Sequence, residues 1–377
     1  MAKRNAAQRT ELLSLTAGLA GFKPAREVLR KVRAVPTLFP YYDWATGVQG
    51  HPLERVCLVH GPSSHGKTTF CHGLGASFLK RNHFYAFIDA EMTTPITWLE
   101  SLMGSELADH PQFVASRPDS YEATVDHVRA FSNMVGEARE KELVEPDTAG
   151  LIVVDSIKKL VPKRLMEKIL KEGSEKDKGG GIDGMSGRAA MYKAALNSAW
   201  MDELVPLMHE TGCTMVLIAR ESENTDKSGL YDADWKLTGG KAIFFDSSLV
   251  MRITRAGWNK EGSGEDAKVI GERHKVNIYK TKVAGKDDKT VSAYFNTSNG
   301  AIVAEGFDHA RDVLELADKF GVVKKTGTWM NWGSEKWQGM NKAVQAITAD
   351  GSKLEELEAE VRACFLSNQI EEDNEEP

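Results

Sequence analysis

From about residue 52 to residue 300 the hydrophobic and polar positions alternate between strand-like and helix-like patterns. Four apolar runs stand out as strands: RVCLVH just before residue 61, FYAFIDA at 84–90, GLIVVDS at 150–156 and CTMVLIAR at 213–220. Strands alternating with helices predict an α/β fold with a mainly parallel sheet covered by helices. SLVMRITR and HKVNIYKTK extend that sheet. Each of the first four runs ends in a polar residue, at the edge where an open α/β sheet places its ligands. Two stretches, KEGSEKDKGGGIDGMSG (171–187) and ESENTDKSGLYDADWKLTGGK (221–241), are too polar and too long for routine connectors, which predicts functional or disordered loops on that edge. Beyond residue 305, the helix HARDVLELADKFG, the Trp-rich turn TGTWMNWGSEKWQG and the helix SKLEELEAEVRACFLSN predict a small separate α+β domain. At the other end, MAKRNAAQRTELLSLTAGLAGF reads as an amphipathic helical arm, because Ser, Thr and Gly interrupt the apolar run a secretion signal needs.

Composition bounds this picture without redrawing it. The 377 residues, 41% apolar and 27% charged, suit one large α/β domain with a smaller one appended. No apolar run approaches the length of a bilayer span, so no membrane role is expected. Cys57, Cys71, Cys213 and Cys364 are far apart and form no C-x-x-C pair, which reads as reduced core thiols of a cytoplasmic protein. The net charge of −6 weighs against a nucleic-acid partner, but its distribution weakens that argument. Glu371, Glu372, Asp373, Glu375 and Glu376 crowd the last residues, IEEDNEEP, predicting a disordered acidic tail on a nearly neutral body.

The most specific local pattern is GPSSHGKTTFCHG at 61–73, which fits G-x-x-x-x-G-K-[ST] with Gly61, Gly66, Lys67 and Thr68 in register. It predicts a nucleoside triphosphate site. Backbone N–H groups of Gly61, Ser63, Ser64, His65, Gly66 and Thr69 would surround the phosphates, Pro62 lending the loop only its shape, with the dipole of the following helix adding to the field. Lys67 would reach the β- and γ-phosphates, and Thr68 offers a hydroxyl to Mg²⁺. Asp155, ending LIVVD, stands where a second carboxylate supports that ion. Glu91 follows FYAFIDA, and is either the base that orients and deprotonates water or a surface carboxylate at a strand end. Lys280 and Lys282, two apart on a strand, share one face. They face either an anionic phosphate partner or solvent along an edge strand.

Together these motifs resemble the RecA family of homologous recombinases over about residues 35–369. GPSSHGKTT, FIDAEMTTP, LIVVDSIKKLVPK, LTGGKAIFFDSSLVMRITR and YKTKVAG are similar to the family's phosphate loop, glutamate strand, Mg²⁺ strand, Gly-Gly segment and paired lysines. The resemblance implies an N-terminal oligomerisation arm (1–35), a RecA-like ATPase core (36–304), a C-terminal domain (305–369) and an acidic tail (370–377). It implies a DNA-dependent ATPase that uses ATP and Mg²⁺ and assembles with itself as a helical filament on single-stranded DNA. That filament would pair and exchange strands with homologous double-stranded DNA in recombination and repair. Single-strand-binding and mediator proteins are implied as further partners, in a bacterial cytoplasm or that of a phage host. The two polar loops become DNA-binding segments, carrying Met185, Arg188, Tyr231, Lys236, Gly239, Gly240 and Lys241. Met185 and Tyr231 either separate base steps or pack within their loops. Phe245 matches an interface aromatic or is a core residue, and Lys280 and Lys282 would reach a neighbouring protomer's ATP.

Three departures from the family bear on the chemistry. Arg220 stands where bacterial RecA has a γ-phosphate-sensing glutamine, so that contact would be made by a guanidinium. The segment after Glu91 is a residue shorter, leaving Trp98 either stacked on adenine or in the core. The first polar stretch is longer and richer in alternating charge. A hexameric helicase on the same core, or an ATP-binding mediator, are the alternatives. The lysine pair and acidic C-terminus weigh against the first, and Lys67, Glu91 and Asp155 together weigh against the second.

Overall fold

The computed structural model describes residues 14–15, 25, 29, 31–165, 167, 183–223, 235–237, 241–262, 264–284 and 291–374. For 183–190, 222, 223, 236, 241 and 366–374 only the backbone is described. The chain divides into two compact units, Met1–Arg33 and Ala34–Pro377. Within the first, residues 14, 15 and 25 are helical.

The second unit is built on a nine-stranded sheet. A short ribbon of β1 (Ala34–Val35) and β2 (His51–Pro52), with helix α1 (Pro40–Ala45) between them, precedes it. Six strands then run parallel in the order β10-β3-β7-β6-β4-β5. They are β3 (Val56–His60), β4 (Phe84–Asp89), β5 (Phe113–Ser116), β6 (Gly150–Asp155), β7 (Cys213–Ile218) and β10 (Leu249–Glu261). Three more, β11 (Lys268–Thr281), β12 (Ser292–Ser298) and β13 (Gly306–Phe307), continue the sheet antiparallel beyond β10. The four apolar runs are its central strands, and the two later runs its extension, as their patterning predicts.

Strand periodicity sorts the core into two layers. Cys57, Val59, Tyr85, Phe87, Leu151, Val153, Val216 and Ile218 face one cluster; Val56, Leu58, Ala86, Ile88, Ile152, Val154, Met215 and Leu217 face the other. The first layer is covered by α1 and by helix α2 (Lys67–Leu79), which is buried nearly all round. Small residues let α2 sit so close: a Cβ on Gly75 would come 2.3 Å from the Tyr85 ring. Between β4 and β5 run two short helices, α3 (Ile96–Met103) and α4 (Ser105–Ala108). The opposite layer is covered by α5 (Tyr121–Glu140), whose N-cap Ser120 accepts from Ala123 N, by α6 (Asp183–Thr211), and by α7 (Lys241–Asp246). Burial of Cys57 and Cys213 in these layers pushes their thiols up to about 12 and about 11.

The C-terminal part comprises α8 (His309–Lys319), a three-stranded sheet of β14 (Lys324–Thr326), β15 (Trp329–Trp332) and β16 (Glu335–Gln338), then α9 (Met340–Ala349) and α10 (Gly351–Asn374). It has the expected α+β composition but no separate core. Val313, Leu314, Met330, Trp337, Val344, Leu357 and Phe365 join the same cluster as Phe70 and Leu74 of α2. Burying that apolar surface against α1 and α2 removes more of it from water than so small a segment could bury alone. Helix α10 carries through Glu371 to Asn374, where the composition predicts a disordered tail. Glutamate is a good helix former, and an existing helix propagates far more cheaply than a new one starts. Among the described residues no helix is long and apolar enough to cross a membrane.

Candidate active site

Strand order brings the carboxyl ends of β3, β7, β6 and β4 side by side. The loop leaving β3 has Gly61 at φ 147, Ser64 at φ 61 and Gly66 at φ 91. These positive φ values turn the chain sharply into α2, whose first residue is Lys67. Lys67 Nζ donates to the carbonyls of Gly61 (3.0 Å) and Pro62 (2.6 Å), so the ammonium is held inside its own loop. Burial lowers its pKa, and Arg220 adds to that effect while Asp155 opposes it.

Thr68, one residue on, donates its hydroxyl to Asp155 Oδ2 at 2.5 Å, spanning from α2 to the end of β6. Burial pushes the Asp155 carboxyl up to about 6 against the pull of the Thr68 hydrogen bond. A buried carboxylate short of compensating charge, beside a hydroxyl, is a pair of hard oxygen donors that suits Mg²⁺, which takes few protein ligands and completes its shell with phosphate and water. No group of three or more His, Cys, Asp or Glu side chains gathers for a metal among the described residues.

The turn after β4 is shaped by Asp89, whose carboxylate accepts from the N–H groups of Thr93 and Thr94, both at 3.2 Å, and from Arg117 Nε at 3.2 Å. Glu91 N donates to Asp155 O at 3.1 Å, locking the turn to β6. The Glu91 carboxylate accepts from Ser156 Oγ at 2.5 Å and from Arg220 Nε at 3.1 Å, and a second bond comes from Arg220 Nη2 to Oε2. Burial works to raise this carboxyl, but Ser156 and Arg220 outweigh it and hold it below the usual glutamate range. Arg220, the γ-phosphate contact expected from the family pattern, is thus committed to Glu91.

A cavity of about 500 Å³ opens beside the loop, lined among others by Lys67, Thr68, Thr69, Trp98, Arg255 and Trp258. Trp98 is half-buried on α3, its ring edge-on to His72 with centroids 5.5 Å apart, so it faces the cavity as well as the core. The far wall comes from β10 and β11, and nothing in the local motifs points to it. Arg255 N donates to His65 Nδ1 (3.1 Å), and its guanidinium donates to Ser64 O (2.9 Å) and Glu272 (3.0 Å) while lying 4.7 Å over the Trp258 ring. His274 Nδ1 meets His65 O at 3.1 Å, and its ring stacks on Phe295.

Lys280 and Lys282 do share a face, and both ammonium groups converge on one acceptor. Lys280 donates to the carbonyls of Phe244 (2.9 Å) and Phe245, and Lys282 to that of Phe245 at 2.9 Å, so the pair caps the C-terminal end of α7 in its own chain. The Phe245 ring is 59% exposed and therefore not a core residue. Of the residues expected to meet DNA, Tyr231, Gly239 and Gly240 lie outside the described residues. Met185 and Arg188 lie in α6 and not in a loop, because the run RAAMYKAAL that starts at Arg188 is rich in helix formers and the helix begins at Asp183. The second polar stretch is likewise not all loop. Lys236 lies on β9 (Trp235–Leu237), paired antiparallel with β8 (Glu221–Glu223), and Lys241 begins α7.

The family model of the RecA N-terminal domain matches residues 23–298. The chain is 29% identical over 342 residues to Protein RecA of Syntrophus aciditrophicus, covering 90% of this chain and 86% of that one. It is 30% identical over 336 residues to Protein RecA of Acholeplasma laidlawii, covering 89% and 88% respectively. Against Protein RecA of Bifidobacterium breve it is 27% identical over 368 residues, 96% of this chain and 82% of the relative. With the phosphate loop, its carboxylates and the six parallel strands of their sheet all inside the matched span, the chain belongs to the RecA family.

Proposed function

We propose that the protein is a DNA recombinase that hydrolyses ATP, assembles as a helical filament on single-stranded DNA and exchanges that strand with a homologous duplex. The observation that carries this reading is the meeting of Lys67, Thr68, Asp155 and Glu91 at one sheet edge, directly before the β8–β9 ribbon. A generic ATP-binding module needs the first three only; the glutamate adds a base for hydrolysis.

In this mechanism the loop N–H groups hold the phosphates, and Lys67 exchanges its loop carbonyls for the β- and γ-phosphate oxygens. Thr68 and Asp155 would hold a Mg²⁺ ion, which supplies countercharge as the terminal phosphoryl group leaves. Glu91 accepts a proton from the attacking water through a carboxylate oxygen. Trp98 stacks on the adenine within the cavity. Lys280 and Lys282 act across a protomer boundary, where a neighbour's γ-phosphate competes with the Phe245 carbonyl, and exposed Phe245 packs against that neighbour. Met185, Arg188, Tyr231, Lys236, Gly239, Gly240 and Lys241 hold the DNA backbone, leaving the bases free to pair. D-loop formation from a single-stranded oligonucleotide and a supercoiled homologous duplex, with ATP and Mg²⁺, tests the proposal. Nucleotide hydrolysis with no joint molecules at any protein-to-DNA ratio would reduce it to an ATPase of this fold.

A further inference from the structure

We propose that Arg220 is a positioning residue that locks Glu91 in an ion pair, withholding the base from water until a phosphate group draws the guanidinium away. The proposal rests on Glu91 being the base of ATP hydrolysis.

Three directed donors converge on this one carboxylate: Ser156 Oγ and Arg220 Nε on Oε1, Arg220 Nη2 on Oε2. Both oxygens are therefore engaged, Oε1 by two donors and Oε2 by one, so a water must compete with these donors for the electron density that would take its proton. Within the pair the carboxylate side chain is 11% exposed and the guanidinium 38%. An incoming anion thus meets the arginine before it meets the glutamate. A phosphate presents the planar fork of a guanidinium with two acceptor oxygens and at least as much charge as a carboxylate, so it competes for the same donors.

The next residue explains why the arginine can let go without the strand end moving. Glu221 accepts from His60 Nδ1 at 2.8 Å and from Arg252 at 2.7 Å and 3.0 Å. These partners hold its carboxyl down to about 2 despite its burial, so it is ionised and accepts only. The proton of the His60 pair therefore sits on Nδ1, leaving Nε2 as a buried nitrogen with no hydrogen-bond partner among the described residues. The His60 ring packs on Trp235, centroids 4.5 Å apart, across the β8–β9 ribbon. His60 is the residue before Gly61. Consecutive residues thus do two jobs: Glu221 pins the backbone of the ribbon to the strand that feeds the phosphate loop, and Arg220 reaches back to the base. With its Cα pinned, Arg220 leaves Glu91 by side-chain torsions alone.

The competing phosphate is either the terminal phosphate of ATP or the DNA backbone. Steady-state hydrolysis by the full chain, over a range of Mg-ATP with and without a single-stranded oligonucleotide, separates them in wild type, Arg220→Gln and Arg220→Lys. If DNA opens the lock, Arg220→Gln raises the DNA-free kcat by about 3- to 10-fold at unchanged KM and leaves the DNA-stimulated kcat alone. If ATP opens it, the same variant lowers KM by a similar factor in both arms, because binding no longer carries the cost of breaking the pair. Arg220→Lys, which keeps the charge on a single point donor, falls between wild type and Arg220→Gln and serves should the glutamine variant fold poorly. A fall of kcat in both arms would place the guanidinium on the transferred phosphate and overturn the lock, as would a variant with neither kcat nor KM moved. Wild-type protein that hydrolyses no ATP in either arm would instead remove the reading of Glu91 on which the lock depends.

Discussion

Replacing Gly66 with alanine separates two physical demands on the phosphate loop, backbone conformation and close packing. Gly66 sits at φ 91 just before the first residue of α2. A Cβ there would lie 2.6 Å from His274 Nδ1 and 2.7 Å from Cε1. The His274 ring cannot step aside, since it is buried, stacked on Phe295 at 4.6 Å and 15°, and bonded to His65 O. Left-handed backbone costs an L-residue about 1–2 kcal/mol. Forcing a methyl into a filled site costs about 1–3 kcal/mol more. Gly66→Ala should therefore destabilise the protein by about 2–5 kcal/mol and weaken binding of a non-hydrolysable Mg-ATP analogue. Urea midpoints at constant m-value give the first quantity, and calorimetric titration the second. Removing the ring provides the internal control: Gly66→Ala combined with His274→Ala should cost less than the sum of the two single changes by about 1–3 kcal/mol, the steric part. A strictly additive double variant, or a single variant costing under about 0.5 kcal/mol, would show that the strand over the loop does not constrain it.

Lys67→Ala should abolish ATP turnover, since an alanine puts no charge on the β- and γ-phosphates; near-normal turnover would remove the assignment. Glu91→Gln should bind Mg-ATP normally and hydrolyse it about 10²- to 10⁴-fold more slowly, whereas loss of binding would make Glu91 structural. Lys280→Ala or Lys282→Ala should depress DNA-stimulated hydrolysis while leaving nucleotide binding by dilute protein intact, so equal loss in both assays counts against a role between protomers. Acid stability turns on Glu358, whose carboxyl is raised by burial but brought down to about 2 by His309 and Arg362. Its folded pKa is depressed, so its contribution, about 3 kcal/mol, is fully present above the ordinary glutamate value and disappears as pH falls toward 2. Urea midpoints of Glu358→Gln should fall below wild type at pH 6 and converge with it near pH 2; a constant gap would contradict this.

Several features were legible in the sequence because they are local. The spacing GPSSHGKT dictates a turn that needs Gly61 and Gly66, and four apolar runs dictate strands whose last residues sit at a common edge. Asp155 and Glu91 could be named as candidates from that rule taken with the phosphate loop, because a strand end fixes which way the chain delivers its next side chain. Tertiary structure decided everything that depends on strand order and register. The β10–β11 hairpin brings Arg255 and His274 over the phosphate loop from about 190 and 209 positions away in sequence, and no periodicity marks them. The partner Arg220 meets within the chain was not legible either: β7 lies next but one to β4, which brings its guanidinium to Glu91, 129 residues upstream. Residues 305–369 looked separable by composition, yet their apolar faces close against Phe39 and Phe70, because a segment that small cannot cover its own core. Local spacing sets what a residue can do; which partner it meets is set by pairings between strands that no single stretch of chain contains.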